Sequence, residues 1–413
     1  MIKRILLLGL VTFVVLLGGC QQIRPDYDRP LPPGQLALRR IADANEYPDF
    51  SRGWRDLDSL ARAVQNSLNY MGKPSSRQFY PYAGITHEQV VGGLELFLDL
   101  LDAGAKGEEI NGLVRAYFDV YESIGCDDEG TVLFTGYYTP VLEGSFQRTE
   151  EFRYPLYKIP DDLVKDPNGR TLGRRGPDGR LTDFPTRAEI EDSGMLDGHE
   201  LIWLSDPFEA YIAHVQGSAK VRLPDGEIVT VGYAGTSGHE YRSIANLLIE
   251  EGRIPSDRMS LAAMIDYFSA HPEDVAKYVH QNPRYVFFRI SDGRPRGSLN
   301  EPAIPWRTIA TDKSIFPRAS LTFIDTSLPQ MNEREVVIRP YGGFALDQDT
   351  GGAIRAPGRC DVYMGEGDQA GRLAGQTYQE GRLYYLFLKR EFMASASGDG
   401  DEPDVGDSLR GAP

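Results

Sequence analysis

A change in hydrophobic periodicity near Gly125 constrains the fold more than any other feature of the sequence. Before it, apolar residues recur every three or four positions over 57–68, 90–101 and 110–117, which is the spacing of amphipathic helices. After it, residues 131–138 are rich in β-branched and aromatic side chains, as strands are. The sequence therefore predicts a mainly β chain with N-terminal helices, in the α+β class.

Residues 131–235 are predicted to form a largely β region with long loops, because clusters of Pro, Asp and Gly interrupt them. Two helices are predicted next, at about 240–252 and about 260–280, with a break in the second at Pro272. Beyond them the strand pattern returns. These later strands are predicted at 285–290, 321–324, 336–338, 362–364 and 383–388.

The start of the chain has the pattern of an export signal. Lys3 and Arg4 precede an apolar run over 5–19, which is shorter than the roughly twenty residues of a membrane-spanning helix. Two glycines then precede Cys20, which resembles a bacterial lipobox that is cut before the cysteine and acylated on it. We expect residues 1–19 to be a lipoprotein signal peptide and Cys20 to be the lipid anchor. The alternative is an ordinary secretory signal with an incidental cysteine.

The residue after Cys20 and the composition of the two terminal segments lead to three further expectations. An aspartate directly after the acylated cysteine tends to retain Gram-negative lipoproteins at the inner membrane, whereas this chain has Gln21. We therefore expect a lipid anchor in the outer membrane, facing the periplasm. Residues 20–50 are rich in Pro, Asp and Arg and are expected to be a lipidated tether. Residues 393–413 lack the apolar side chains of a core and are expected to be a disordered acidic tail.

The charge balance excludes one large class of partner. The chain carries 44 Lys and Arg against 60 Asp and Glu, a formal net charge of −16. A field of this sign repels phosphate backbones, so no nucleic acid partner is expected. Hydrophobic residues at 41% and charged residues at 25% are ordinary globular usage, which excludes full-length disorder and a polytopic membrane protein.

The cysteines and histidines predict neither a metal nor a cofactor. The chain has no CxxC motif, and its six histidines form no HExxH pair. Cys126 and Cys360 are the cysteines beyond the anchor, and export permits a disulfide between them. Two cysteines do not define a disulfide framework, so a bridge and simple packing both remain open.

Three aspartates stand where a carboxyl group could do chemistry. Asp312 and Asp349 adjoin turn residues, so each also suits a turn or a cap. Asp361 begins an apolar strand, where burial would raise its pKa as a general acid near neutral pH requires. The alternative for Asp361 is an edge-strand position that faces water.

Taken in order, the stretches around these aspartates resemble the 3D module, which is named for its three aspartates. Upstream, residues 134–140 and 232–239 resemble the insert domain of the membrane-bound lytic murein transglycosylase A family. Residues 282–288 match the same family, and the resemblance runs from about residue 50 to 390.

The resemblance implies a six-stranded double-psi β-barrel domain and a smaller inserted β domain, with a groove for a glycan strand between them. The barrel domain is expected from residues 51–130 and 285–392, helices included, with its 3D segment at about 300–375. The inserted β domain is expected at 131–284.

The resemblance also implies the activity of a murein lyase, classed as a peptidoglycan lytic exotransglycosylase. Such enzymes cleave the β-1,4 bond between N-acetylmuramic acid and N-acetylglucosamine when the muramic C6 hydroxyl attacks its own C1, leaving a 1,6-anhydro end. The sequence does not distinguish cleavage at chain ends from internal cleavage. The implied partners are peptidoglycan glycan strands, the membrane through Cys20 and, as candidates, proteins of cell-wall synthesis complexes.

Roles for named residues follow from the resemblance. Asp361 holds the family's acid/base position, and Asp349 is expected in the same groove, orienting sugar hydroxyls or bonding near Asp361. Asp312 is expected to brace the barrel. Side chains that can stack on a sugar or hydrogen-bond to it are the candidates for substrate contact. These candidates are Thr135, Tyr137, Tyr138, Ser237, Tyr241 and Asn282.

Two other functions remain open from the residues alone. Double-psi barrels also host inverting hydrolases with two carboxylates, in which Asp349 would activate water and Asp361 would act as the acid. The second is a non-catalytic lipoprotein that binds peptidoglycan as a scaffold.

Overall fold

The computed structural model describes residues 25–167, 169–256, 258–291, 293–333 and 335–393. The expected signal peptide, the anchor at Cys20 and the expected tail from residue 394 onward lie outside these residues. The α-helices are α1 (Leu57–Met71), α2 (His87–Asp102), α3 (Ile110–Tyr117), α4 (Arg187–Ser193), α5 (Pro207–Gln216), α6 (Ile244–Glu250), α7 (Leu261–Ala270), α8 (Val275–Val279) and α9 (Gly367–Gly375).

The β-strands of the described residues are β1 (Leu38–Arg40), β2 (Phe118–Ser123), β3 (Val132–Thr139), β4 (Val141–Ser145), β5 (Tyr154–Tyr157), β6 (Leu163–Lys165), β7 (Thr171–Arg175), β8 (Leu181–Thr182), β9 (Glu200–Leu204), β10 (Ser218–Arg222), β11 (Ile228–Thr236), β12 (Val286–Ser291), β13 (Thr308–Ala310), β14 (Leu321–Asn332), β15 (Glu335–Asp349), β16 (Arg359–Glu366) and β17 (Tyr378–Leu388).

Six strands close into a barrel of mixed direction. Each pairs with the next in the order β17, β14, β15, β13, β16 and β3, and β3 pairs back with β17. The β13–β15 and β16–β3 pairs are parallel, whereas the other pairs in the ring are antiparallel. Closure leaves no free sheet edge in the ring. The predicted mainly β, α+β fold with a six-stranded barrel is confirmed, and the double-psi connection stays a prediction.

Helices α1 and α2 cover one side of this barrel. Their apolar faces bury Leu60, Val64 and Phe97 completely. The ring centroids of Phe97 and Phe344 on β15 lie 4.9 Å apart. The ring centroids of Phe344 and Phe323 on β14 lie 5.1 Å apart. Full burial of a side chain of this size contributes about 2 kcal/mol relative to exposure. The N-terminal helices and the barrel therefore share one hydrophobic core.

Helix α2 begins at the capping box that the sequence predicts. Oγ1 of Thr86 accepts a hydrogen bond from the N–H of Gln89, and Oε1 of Gln89 accepts one from the N–H of Thr86, each at 3.2 Å. The reciprocal bonds satisfy N–H groups that the first helical turn leaves free. The break predicted at Pro272 is also confirmed, because α7 ends at Ala270 and α8 begins at Val275.

A second sheet forms from the chain between β3 and β13. Its strands lie in the order β12, β11, β10, β4, β9 and β5. Their apolar sides bury Leu156, Ile202, Val221 and Val231 in a core separate from that of the barrel. Because only Pro140 separates β3 from β4, the barrel and the second sheet meet at this point.

Helices α4 and α5 interrupt residues 131–235, which were expected to be largely β. Both helices carry start signals in the sequence. Thr186 and Glu189 form a capping box before α4, and Asp206 accepts N–H bonds at the start of α5 ahead of Pro207. The helices are only 7 and 10 residues long, so their periodicity gave a weak signal beside the surrounding strand residues.

Two expected boundaries differ from the observed strand pairing. The expected tether, 20–50, includes β1, which pairs with β2 through Leu38 and Ser123. The expected insert, 131–284, includes β3, whose pairing with β16 and β17 makes it a barrel strand. Both pairings join segments that are distant in sequence, so neither boundary has a local signal.

Gly381 leaves room for the strand that closes the barrel. It is the last β17 residue to pair with β3, beside Arg382, where pairing with β14 ends. A Cβ at position 381 would lie 2.5 Å from the carbonyl oxygen of Asp325 and 2.4 Å from Cβ of Thr326. We expect Gly381→Ala to lower the free energy of unfolding by about 1–3 kcal/mol in urea denaturation, because neighbouring backbone has to move.

The matched control for this substitution is Gly112→Ala in α3. No atom lies within 4 Å of a Cβ at that position. Alanine is also the better helix former, so the free energy of unfolding should stay equal or rise by up to about 1 kcal/mol. Equal losses in both variants would contradict the role of Gly381 in barrel closure.

Candidate active site

A cleft of about 640 Å³ lies between the barrel and the second sheet. The barrel contributes the ends of β3, β13, β15 and β16, and the loop after β15 that carries Gly351 and Gly352. The opposite wall comes from β11, β12 and the segment before β12, with Tyr233, Arg289 and Asn282. Both units of the fold therefore supply side chains to one concave surface.

Asp361 and Asp349 reach this cleft from the two sides of β13. Ala310 on β13 pairs with Asp361 on β16 and with Asp349 on β15. Residues directly opposite one another in a ladder share a face of the sheet, and neighbouring strands lie about 4.8 Å apart. The two Cα atoms are therefore about 10 Å apart on the same surface.

Asp361 combines a free oxygen with a raised pKa. Burial raises the pKa of Asp361 to about 6, the nearby Thr135 hydroxyl and Arg359 charge oppose the rise, and the charge of Asp349 adds to it. Among the residues that the structure describes, Oδ1 of Asp361 is buried and has no hydrogen-bond partner, while the carboxyl group lines the cleft. The raised pKa expected from the apolar strand is confirmed. Such a carboxyl can donate a proton to a ligand in the cleft.

Asp349 is held by three donors. Its Oδ2 accepts from the hydroxyl of Tyr137, and its Oδ1 accepts from the N–H groups of Ser298 and Thr350, each at 2.8 Å. Burial raises the pKa of Asp349, while these hydrogen bonds and the charge of Lys313 oppose the rise. Asp349 therefore has fewer unoccupied lone pairs than Asp361.

Tyr137 and Tyr363 form an aromatic wall beside the carboxyl groups. Their ring centroids lie 5.2 Å apart, and the two residues pair across β3 and β16. The Tyr363 hydroxyl lies 2.9 Å from Oγ1 of Thr139, within hydrogen-bond distance. Both tyrosines line the cleft. Apolar ring surface next to Asp361 displaces water, which is the physical cause of its raised pKa.

A buried ion pair lies under the cleft. Lys313 pairs with Asp347, whose Oδ2 also accepts from the hydroxyls of Tyr385 and Thr311, each at 2.8 Å. Burial lowers the pKa of Lys313, while the charge of Asp347 opposes this effect. Removal of either partner would leave an uncompensated buried charge. The pair therefore fixes the end of β15, two residues before Asp349.

Half of the expected sugar-contact residues line the cleft, namely Tyr137, Tyr241 and Asn282. Thr135 lies opposite Asp361 in the β3–β16 pair. Within the described residues its hydroxyl has no hydrogen-bond partner, as is true of Oδ1 of Asp361.

The other two expected contacts, Tyr138 and Ser237, do not line the cleft, contrary to the expectation from the sequence. Successive strand residues face opposite sides, so Tyr138 points away from Tyr137, and its Cε2 lies 2.9 Å from where a Cβ at Gly371 of α9 would be. Oγ of Ser237 accepts the N–H of Tyr285 at 3.0 Å and is buried. Both side chains pack within the protein.

Asp312 lies outside the cleft lining and closes a turn. Its Oδ1 accepts the N–H of Ser314 at 3.0 Å, and its Oδ2 accepts the N–H of Ala356 at 3.2 Å. These bonds favour the expected structural role. Cys126 and Cys360 are free and buried, so they form no disulfide in this structure.

Most of the cleft lining is absent from the predicted set, and Tyr233, Arg284 and Arg355 are the members that bear on ligand binding. Tyr233 lies in the motif 232–239, and its side chain is 46% exposed, which leaves a face of its ring open to a ligand. Arg284 lies in the motif 282–288. The motifs are visible in the sequence, but which of their side chains face the cleft depends on pairing between β11 and β12.

The comparisons with known proteins agree with this geometry. The sequence profile described as the MltA specific insert domain matches residues 133–289, and that of the 3D domain matches residues 307–387. Membrane-bound lytic murein transglycosylase A of Escherichia coli strain K12 is 32% identical over 274 residues, which cover 65% of this chain and 69% of the relative.

This chain belongs to the membrane-bound lytic murein transglycosylase A family. The protein of that name from Vibrio cholerae serotype O1 is 34% identical over 271 residues, which cover 64% of this chain and 68% of the relative. Members of the family are peptidoglycan lyases, and this chain is an enzyme of that class.

Solved structures of lytic murein transglycosylases share the fold. The membrane-bound lytic murein transglycosylase from Agrobacterium tumefaciens aligns with a TM-score of 0.72 at 26% identity, covering 87% of this chain and 99% of the other. Escherichia coli MltA with bound chitohexaose aligns with a TM-score of 0.62 at 25% identity, covering 89% of this chain and 96% of the other.

In the described ranges, no group of three or more His, Cys, Asp and Glu side chains is arranged to hold a metal ion. Over the same ranges, no helix combines the length and apolarity needed to cross a bilayer.

We expect Asp361→Asn to stabilise the fold at neutral pH. Because burial raises the pKa of Asp361 from 3.8 to about 6, the wild type loses stability as the pH rises from about 4 to about 6, where the unfolded chain ionises first. Above pH 7 the variant should exceed the wild type in free energy of unfolding by about 3 kcal/mol, and near pH 4 the difference should fall below about 1 kcal/mol.

Urea denaturation at several pH values measures this difference. Asp368→Asn is the matched control, because Asp368 is exposed on α9, and it should give no gain in free energy of unfolding at pH 7. A gain for Asp361→Asn that is the same at pH 4 and pH 7, or no gain at either, would contradict the burial of a raised-pKa carboxyl.

Proposed function

We propose that this enzyme cleaves the β-1,4 bond between N-acetylmuramic acid and N-acetylglucosamine without water and leaves a 1,6-anhydro ring on the muramic residue. The observation that carries the proposal is Asp361, a cleft carboxyl with a free oxygen and a pKa raised to about 6. The chitohexaose bound to Escherichia coli MltA supports a glycan strand as the occupant of the cleft.

Asp361 acts first as an acid. Its protonated carboxyl donates a proton to the glycosidic oxygen as the bond from that oxygen to C1 of the muramic residue breaks, and N-acetylglucosamine leaves as an alcohol. General acid catalysis of this kind contributes about 10²–10⁴ in rate. A pKa of about 6 keeps a substantial fraction of the carboxyl protonated near neutral pH.

Asp361 then acts as the base. Its carboxylate accepts the proton of the muramic C6 hydroxyl while the C6 oxygen bonds to C1, so Asp361 ends protonated and no water is consumed. Because the hydroxyl and C1 belong to one sugar, they react at high effective concentration. This internal nucleophile replaces the second carboxylate that a hydrolase uses.

Asp349 supports the proton transfer without performing it. Its charge helps to raise the pKa of Asp361, and its bond to the Tyr137 hydroxyl fixes a ring of the cleft wall. In the alternative hydrolase, Asp349 would accept a proton from water. Three donors already occupy its oxygens, which disfavours that reaction. The binding-only alternative lacks support, because the chain is a peptidoglycan lyase by family.

The proposal includes the cellular location of the enzyme. We place the enzyme at the outer membrane, facing the periplasm, with Cys20 as its lipid anchor and proteins of cell-wall synthesis complexes as candidate partners. This part rests on the sequence of residues 1–21, which lie outside the described residues. The double-psi barrel with an inserted β domain belongs to the same proposal.

Asp361→Asn should lower the release of anhydromuropeptides from purified sacculi by about 10³ or more, because one carboxyl performs both proton transfers. Asp349→Ala should cost less, about 10–100-fold, because it removes a support and leaves the acid in place. Mass spectrometry of the products distinguishes anhydro ends from reducing ends.

The control is Asp368→Asn on the exposed surface of α9, which should stay within about twofold of the wild type. Near-normal turnover by Asp361→Asn would remove its assignment. Reducing ends as the main product of the wild type would instead favour the two-carboxylate hydrolase.

The rate should fall as the pH rises through the pKa of Asp361. Below about pH 6 the acid form predominates in the free enzyme, and above it kcat/KM should drop about tenfold per pH unit. Asp349→Asn removes a neighbouring negative charge, so the midpoint of the fall should move to lower pH. A rate that rises between pH 5 and 8, or a midpoint that moves upward in Asp349→Asn, would contradict the assignment.

A further inference from the structure

The cleft has the opposite charge to the rest of the chain. Seven basic side chains and two carboxyl groups stand among its described lining residues, whereas the whole chain has a net charge of −16. The β-1,4 backbone of peptidoglycan is uncharged in its native, peptide-bearing form. A basic cleft therefore has more charge than the recognition of sugar rings requires, and it favours an anionic group on the substrate.

Some of these cations are neutralised by the protein itself. Lys313 pairs with Asp347, and Arg187 pairs with Glu191 at 2.8 Å. Such pairs leave little charge for a ligand. The cations that bear on substrate choice are those with no carboxylate of their own.

Arg284 is the clearest example of a cleft cation without a carboxylate partner. Within the part of the chain that the structure describes, its guanidinium forms no ion pair, and its side chain makes only one long bond, 3.4 Å from Nη1 to the carbonyl oxygen of His239. Burial lowers the pKa of Arg284, and the charge of Arg355 lowers it further. A buried cation without an ion-pair partner, next to a second cation, favours the binding of an anion.

Arg355 completes this pair from the other wall of the cleft. It lies in the loop after β15, whereas Arg284 lies just before β12 of the second sheet. Its contact with Asp312 is long, 3.9 Å between Nη1 and Oδ1, and its side chain is 56% exposed. The two guanidinium groups therefore approach one region from both units of the fold.

The pair lies beside the catalytic strand ends. A Cβ at Gly352 would lie 3.3 Å from Nε of Arg284, so the guanidinium rests against the turn that follows Asp349. A ligand group bound there would belong to a sugar close to Asp361. In peptidoglycan, the group near the scissile bond that carries carboxylates is the peptide stem on the muramic residue.

We propose that Arg284 and Arg355 bind a carboxylate of the peptide stem, so that the enzyme prefers glycan whose muramic residues carry charged stems. The inference rests on the proposed function and names its substrate class. Arginine suits this task because its planar guanidinium donates parallel hydrogen bonds to a carboxylate.

Chemical amidation of the stems tests the proposal. Purified sacculi are divided, and one portion is treated with a water-soluble carbodiimide and ammonium, which converts stem carboxylates into amides and leaves the glycan intact. The initial rate of anhydromuropeptide release is measured on both portions at limiting substrate. The wild type should release product about tenfold faster from untreated sacculi, the effect of about one charge-assisted hydrogen bond.

The variants are Arg284→Gln, Arg355→Gln and the double variant, each compared on both portions. Each single change should reduce the rate ratio to about threefold, and the double variant should bring it close to one. Arg180→Gln is the matched control, because Arg180 is 85% exposed and lies outside the cleft lining, and it should keep the tenfold ratio. Arg355→Gln keeps the test valid if Arg284→Gln does not fold, since Arg355 is mostly exposed.

Three results would overturn the proposal: no preference in the wild type, an unchanged ratio in the double variant, or the same loss of ratio in Arg180→Gln, which would point to general electrostatic attraction. A failure of the proposed function would give a different result, because the wild type would then form no anhydro ends from either portion of sacculi.

Discussion

Ala310 links the two carboxyl groups of the cleft, because this residue of β13 pairs with Asp361 on one side and with Asp349 on the other. Strand β13 has only three residues, yet it sits between β15 and β16 in the closed ring and fixes their register. The register decides which side chains share the surface that faces the second sheet. The chemistry assigned to Asp361 depends on this pairing, since a shift by one residue would turn its side chain to the other face.

Burial at that surface has a cost that the rest of the structure offsets. A carboxyl whose pKa is about 6 destabilises the folded state at neutral pH, which is a common feature of catalytic groups. The barrel core around Phe344 and the buried pair of Lys313 and Asp347 hold the strand ends in place in spite of that cost. The stabilising contacts and the proposed acid thus lie in neighbouring layers of one barrel.

Local sequence signals predicted much of the fold. The capping box at Thr86 and the break at Pro272 depend on residues adjacent in sequence, and both are found where expected. The strand over 131–138 is also present as β3. Its pairing within the barrel was beyond prediction because its partners β16 and β17 lie more than two hundred residues away.

The candidate site was predicted less completely, for the same physical reason. Motifs brought out Asp361, Asp349 and Tyr137, which share the cleft, but also Tyr138, which strand alternation turns away from it. Arg284 carries no signal by itself, because its importance comes from the missing counterion and the proximity of Arg355. Such properties arise only when distant segments meet in the folded chain.

The two walls of the cleft contribute different groups. The barrel carries Asp361 and Asp349, the proposed proton donor and its support, whereas both walls carry cations in a chain whose overall charge is negative. Direct titration of the Asp361 carboxyl carbon by ¹³C NMR, assigned with Asp361→Asn, tests the central claim most directly. The account predicts a pKa near 6 in the free enzyme, and a value near 4, as for a solvated aspartate, would contradict it.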